Sequence, residues 1–285
     1  MKLALGTAQF GLNYGISNCS GKVGKDEIID ILSLAKANGI QTLDTAIAYG
    51  DSETVLGGVG LGGWRVITKL PPFPEGEDNV DCWVEKQMRE SLERMCLESV
   101  YGILLHQPDQ LFGGLGEAIR NSLARLKDKG LVEKIGVSIY QPNQLELINN
   151  VFEPDIVQAP CNVFDRRLIE SGWLSRLKEQ GAEIHIRSVF LQGLLLMPMS
   201  RRPKKFDQWS SLFDAWNGWL MKNELDPVSA CLNFVYSIPE VDRVVVGVAN
   251  SRQLQELINA SLVKFSGVPA DISSFDEGLI NPSRW

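Results

Sequence analysis

The chain has 285 residues, 44% of them hydrophobic and 22% charged, with a formal net charge of −7. That length suits one α/β barrel with a sizeable core. The acidic balance offers no polybasic footprint for nucleic acid or anionic lipid, and no apolar run is long enough to span a bilayer.

The elements alternate from the start. "KLALGT" reads as a strand and "KDEIIDILSLAKANG" as a helix stopped at Gly39. "IQTLDTA" is a strand, "SETVLGGVG" a short helix, "WRVITKL" a strand and "NVDCWVEKQMRESLERMC" an amphipathic helix. "VYGILLH" and "LGEAIRNSLARLKDKG" make the next pair, then "VEKIGVSI" and "QPNQLELINNV", then "DIVQAP" and "LIESGWLSRLKEQG". "EIHIRSV" precedes an irregular stretch from Gln192 to Lys205 and a Trp-rich helix over 206–222. The helix "PVSACLNFVYSI", the strand "VDRVVVGV" and the helix "SRQLQELINASL" close the series.

Eight strand–helix cycles with short connections predict a single-domain (β/α)8 TIM barrel over residues 1–285. The strands are nearly continuous apolar runs, as expected where both faces are buried. The run after Met1 is too short for a signal peptide and lacks a cleavage signal. The cysteines (Cys19, Cys82, Cys96, Cys161, Cys231) are odd in number and show no metal spacing. They read as reduced thiols of a cytoplasmic protein. With only His106 and His185, a multi-histidine metal centre is excluded and no metal is expected. The basic stretch Ser200–Lys205 reads as a solvated loop, with a handle for an anionic substrate as the alternative. Phe10, Tyr14, Trp209, Trp216 and Trp219 are candidates for a pocket wall, and core packing is the preferred reading for the tryptophans.

Barrel chemistry sits at the C-terminal ends of the strands. The second strand ends in Asp44 with Tyr49 just beyond, the third in Lys69, the fourth in His106. Singly, each has a plainer reading: a turn cap, a half-buried phenol, a solvated lysine, a turn residue. Together at one end of consecutive strands they form a proton-transfer set. An ammonium beside a phenol favours the phenolate, a carboxylate keeps the buried lysine charged, and an imidazole can orient a carbonyl oxygen. Such a set suits reduction of a carbonyl to an alcohol. Asp51 or Ser52 is expected to cap the helix that follows.

"LDTAIAYG", "VITKL", "ILLHQPD", "KIGVSIYQPNQLELI" and "IVQAPCNVFDRR" resemble the signature segments of the aldo-keto reductase family, in order and over essentially the whole chain. The resemblance implies an NAD(P)H-dependent carbonyl reductase in which Tyr49 donates the proton, Asp44 and Lys69 tune it, and His106 orients the substrate. It implies that Ser138 and Gln158 hold the nicotinamide carboxamide and that Thr7 lines the same pocket. Ser188 to Gly193, with Gln192, would run along the pyrophosphate. Gly247 to Gln253, with Arg252, would meet the adenosine end. No GxGxxG follows the first strand, in keeping with a family that binds its cofactor without a Rossmann domain.

Some positions depart from the family pattern. Ile139 replaces an asparagine, and Arg187 stands where a tyrosine often stacks on the nicotinamide. Arg187 can stack through its planar guanidinium or reach an acidic substrate. Gly247 and Gln253 replace the lysine and arginine that many members place on the 2′-phosphate, and Leu257 replaces an asparagine. Arg252 is the remaining cation there. NADPH is the expected cofactor, with NADH as the alternative, and the expected partner is a small carbonyl compound, acidic or sugar-derived. Two other readings stand beside this one: a weakly catalytic binding or regulatory subunit on the same fold, and a lyase using Lys69 as a Schiff-base nucleophile.

Overall fold

Eight short strands pair in parallel in chain order and close on themselves, β8 against β1. In the computed structural model, which describes residues 1–16, 18, 21–263 and 267–285, they are β1 (Leu3–Gly6), β2 (Thr42–Asp44), β3 (Arg65–Leu70), β4 (Val100–Leu105), β5 (Val132–Ser138), β6 (Ile156–Pro160), β7 (Glu183–Arg187) and β8 (Arg243–Gly247). Cys19 lies outside the described residues. The (β/α)8 barrel expected from the alternation is the fold observed. Among the described residues no helix is long and apolar enough to cross a membrane.

Strand alternation explains how one short strand serves two environments. Leu43, Val66, Ile103, Val157, Ile184 and Val244 belong to the large cluster between barrel and helices. Residues of the other parity face the barrel axis, where Ile67, Leu104 and Ile156 form a separate small cluster. That space is tight: a Cβ on Gly102 would lie 2.9 Å from Ile156 Cδ1. The next positions of the inward set toward the C-terminal ends are Lys69, His106 and Gln158. The inward parity therefore delivers these polar residues to the mouth.

At the opposite end, Glu183 accepts hydrogen bonds from Tyr101 Oη (2.5 Å) and Lys134 Nζ (2.6 Å), and its other oxygen lies 3.1 Å from His185 Nε2. Burial raises the Glu183 carboxyl, but the contacts with His185, Lys134 and Tyr101 together outweigh it and push the carboxyl far below the usual range. This polar plug closes the floor, away from the mouth.

Several helices differ from the sequence expectation. The one after β5 shortens to Gln144–Ile148, and the one after β6 breaks at Gly172 (φ +74°) into Arg167–Glu170 and Trp173–Glu179. Glycine tolerates that left-handed backbone, and the chain uses it to turn. The Trp-rich segment is a 3-10 turn (Lys204–Trp209) followed by a helix (Ser210–Lys222). Trp216 is buried, donates to Leu195 O at 3.2 Å and stacks on Trp219, while Trp209 and Trp219 are partly buried. The expected cap at Ser52–Val59 is not made by a side chain. Asp51 pairs with Lys22 at 2.6 Å instead, and Ser52 Oγ turns inward to Thr7 O at 3.0 Å.

Candidate active site

The segment after β2 is fixed by its neighbours. Thr45 N donates to Ile67 O (2.8 Å) and Ile47 N to Lys69 O (3.2 Å), so the chain continues along β3 beyond the formal strand end. A turn then brings Tyr49 N to Ala46 O and Ser52 N to Tyr49 O. Gly50 adopts φ +58° at this turn. The backbone of Gly11 packs so closely that a Cβ there would fall 1.8 Å from Tyr49 O. Glu53, one turn into the helix, accepts from Thr68 and Ser91 hydroxyls and from two Arg94 nitrogens, tying the helix to β3 and the next helix. Tyr49 is therefore held from both sides by backbone.

Lys69 is 1% exposed and its ammonium donates to Asp44 Oδ1 at 2.5 Å and to Thr45 O at 2.8 Å. Burial alone would lower its pKa. The Asp44 carboxylate and the Tyr49 hydroxyl more than offset that, so its pKa is raised and it stays charged. The ammonium lies 5.0 Å from the Tyr49 ring centre. The second Asp44 oxygen accepts from Gln158 Nε2 at 2.6 Å, and Ser138 Oγ is 3.3 Å from Gln158 Oε1.

His106 meets the Tyr49 ring edge to face, with centres 5.9 Å apart and planes at 79°. Its backbone N–H donates to Leu70 O, which pins it to the end of β3. Burial, reinforced by the charges of Lys69 and Arg187, lowers its pKa from 6.5 to about 4. Near neutrality it is an uncharged imidazole with one N–H to donate.

Arg187 ends β7 on the same rim. It donates to Ile139 O (2.9 Å) and Ser188 Oγ (3.2 Å), and its guanidinium lies 4.6 Å from the Tyr140 ring centre. The loop after it is unusual: Ser188, Leu191 and Gln192 all have positive φ, followed by Gly193 at +89°. Such backbone outside glycine is strained, and strain of this kind concentrates at functional sites. Asn162 Nδ2 buttresses the loop through Ser188 O. Gln192 Nε2 reaches Tyr14 Oη at 3.4 Å, closing part of the rim.

Seven of the residues expected from sequence (Asp44, Tyr49, Lys69, His106, Ser138, Gln158 and Arg187) thus gather at one barrel end. Others are placed differently. Thr7 is fully buried, its hydroxyl bonded to Asp44 O and Ser52 Oγ, so it braces the wall. Gly247 is exposed at the end of β8, where a Cβ would run into the Gln9 side chain. Gln253 binds the Ala249 N–H, and Arg252 is 91% exposed beside Glu256 at 3.5 Å. Tyr14 and Tyr140 also belong to this rim. Sequence reading places Tyr14 only among possible wall residues and passes over Tyr140, because a lone loop tyrosine carries no local signal.

The family model for the aldo/keto reductase family matches residues 2–277. The chain belongs to the aldo/keto reductase family. It is therefore an oxidoreductase. L-galactose dehydrogenase of Arabidopsis thaliana is 26% identical over 283 residues, covering 93% of this chain and 87% of that protein. Pyridoxal reductase from the same plant's chloroplast is 31% identical over 145 residues, 44% of this chain and 38% of that protein. Among solved structures, a holo-form aldo-keto reductase of Bacillus halodurans superposes with a TM-score of 0.73 at 18% identity, covering 95% of this chain and 89% of that one. A glycerol dehydrogenase of Gluconobacter oxydans gives 0.72 at 22% identity, covering 95% and 88%. At those identities the aldo/keto reductase likeness is one of fold alone.

Proposed function

We propose that this chain reduces an aldehyde or ketone to an alcohol, with NADH or NADPH as hydride donor and Tyr49 as proton donor. The observation that carries this reading is the continuous buried linkage from Gln158 through Asp44 to Lys69, which ends 5.0 Å from the Tyr49 ring. It keeps one positive charge beside the phenol and away from water. As the carbonyl carbon takes hydride, its oxygen takes the Tyr49 proton. The Lys69 ammonium stabilises the phenolate that remains. His106, uncharged near neutrality, donates one hydrogen bond to the same oxygen and orients it.

The donor set at the rim fits a nicotinamide dinucleotide. Ser138 and Gln158 offer a hydroxyl and an amide side by side for a carboxamide. The left-handed positions Ser188, Leu191, Gln192 and Gly193 turn the backbone of the loop in the way anion-binding concavities do. When bound, the reduced nicotinamide supplies the hydride.

The adenosine end favours NADH more than the sequence suggests. Glu27 Oε1 accepts from Ser251 N at 2.5 Å, and Asn250 accepts from Gln253 N at 2.9 Å. A carboxylate therefore already occupies the start of the helix Ser251–Ala260, where a 2′-phosphate would compete with it. Arg252 points to Glu256 and leaves little to offset that repulsion.

The Schiff-base alternative asks for a lysine with a depressed pKa, whereas Lys69 is ion-paired and its pKa is raised. The test is cofactor titration by fluorescence, then a carbonyl panel. Cofactor binding followed by its oxidation with at least one carbonyl supports reduction. Binding without oxidation by any carbonyl favours a regulatory subunit.

A further inference from the structure

Among the described residues, Arg187 is a cation with no carboxylate in ion-pair contact. Lys69, Arg94, Lys134 and Arg167 pair with Asp44, Glu53, Glu183 and Asp165, whereas the partly buried Lys2, Arg120, Arg166, Arg202 and Arg243 meet carbonyl oxygens, a hydroxyl or rings. Arg187 differs from these five in that its charge acts on His106. It is partly buried as well, and its protein partners are a carbonyl oxygen, a hydroxyl and a ring face. A guanidinium has five N–H donors in a fixed fork, and two are used here. Those two contacts and the Tyr140 ring hold the fork in place, so binding a planar anion would cost little further ordering.

The charge acts on the catalytic end of the barrel. Arg187 is among the groups that depress the His106 pKa, and Tyr14 feels both Arg187 and Tyr49. Asp44 and Lys69 cancel one another, and His106 is neutral near pH 7. Of the charges that act on His106, Arg187 is therefore the one left unpaired, in a protein whose formal net charge is −7. A fixed cation in a low-dielectric cleft attracts anions and strengthens their hydrogen bonds.

We propose that the carbonyl substrate bears its own anionic group, a carboxylate or phosphate, and that Arg187 binds that group while Tyr49 and His106 hold the carbonyl oxygen. This rests on the reductase reading and names its substrate class. It gives Arg187 to the substrate and leaves the nicotinamide to other groups on the rim.

Matched substrates separate the possibilities. Succinic semialdehyde and butanal differ by a carboxylate in place of a methyl group, and glyceraldehyde phosphate and glyceraldehyde differ by a phosphate. The wild-type protein should show kcat/KM about 10-fold to 100-fold higher for the anionic member of one pair, the scale of one charge-assisted hydrogen bond. The pair that shows it identifies the anion. Arg187→Met should abolish the gap mainly by raising KM, with Kd for NADH and NADPH within about twofold of wild type. Arg187→Lys, which keeps the charge and loses the fork, should fall between. Calorimetry with succinate and with inorganic phosphate on the cofactor-bound protein gives a readout without turnover; Arg187→Met should remove the binding.

Equal kcat/KM within both pairs would overturn the proposal and leave the reductase reading intact. So would weaker cofactor binding in Arg187→Met with the substrate preference unchanged, because Arg187 would then serve the cofactor. Failure to reduce any carbonyl would overturn the reductase reading, and the calorimetric titration would still decide whether Arg187 binds anions.

Discussion

Gln158 Nε2 donates to Asp44 Oδ2 at 2.6 Å while Lys69 donates to the other oxygen of the same carboxylate at 2.5 Å. Asp44 is thus held at both oxygens, and an amide expected to serve a cofactor also orients the proton-transfer set. Gln158→Met should therefore lower kcat by about 10-fold to 100-fold, the scale of one hydrogen bond to a charged group. Kd for NADH should change less. Steady-state kinetics beside fluorescence titration checks this; a change in Kd alone would confine Gln158 to the cofactor.

The His106 imidazole titrates near 4 instead of 6.5. No inflection in kcat/KM should come from His106 between about pH 5.5 and 8. The sign for stability follows from the same shift. The unfolded chain binds this proton more readily, so the contribution is fully present above 6.5 and is lost as pH falls from 6.5 toward 4. Below about 4 it falls no further. Chemical denaturation against pH should show that slope, and His106→Gln should flatten it.

Gly11 has no room for a side chain because the Tyr49 carbonyl occupies the position of its Cβ. Gly11→Ala should displace the Tyr49 turn, cost about 1–3 kcal/mol of stability, and lower kcat more than an equally destabilising change away from the mouth. Thermal unfolding and kinetics on the one variant measure both effects.

Glu27 holds the first N–H of the helix Ser251–Ala260. Glu27→Gln removes the negative charge and keeps an acceptor. It should tighten NADPH relative to NADH, and the ratio of the two Kd values from fluorescence titration is the readout. An unchanged ratio would place the 2′-phosphate elsewhere.

The barrel was legible in the sequence because strand and helix periods differ and each apolar run was bounded by turn residues. Asp44, Tyr49, Lys69 and His106 were legible because they share strand ends. What the sequence could not show depends on contacts between distant segments. Gln158 reaches Asp44 across 114 positions, and Glu27 reaches Ser251 across 224. The break at Gly172 was hidden because residues on both sides keep helical spacing and only the positive φ separates them. The cap expected at Asp51 failed because Lys22, from a loop far earlier in the chain, takes that carboxylate.

The central claim is that Tyr49 delivers the proton in a carbonyl reduction. Tyr49→Phe keeps the ring that meets His106 and removes only the hydroxyl. Its single-turnover rate of NADH oxidation with a carbonyl that the wild type reduces is the most direct measurement. A fall of about 100-fold to 10,000-fold, with Kd for NADH unchanged, is the predicted result; a rate near that of the wild type would contradict it.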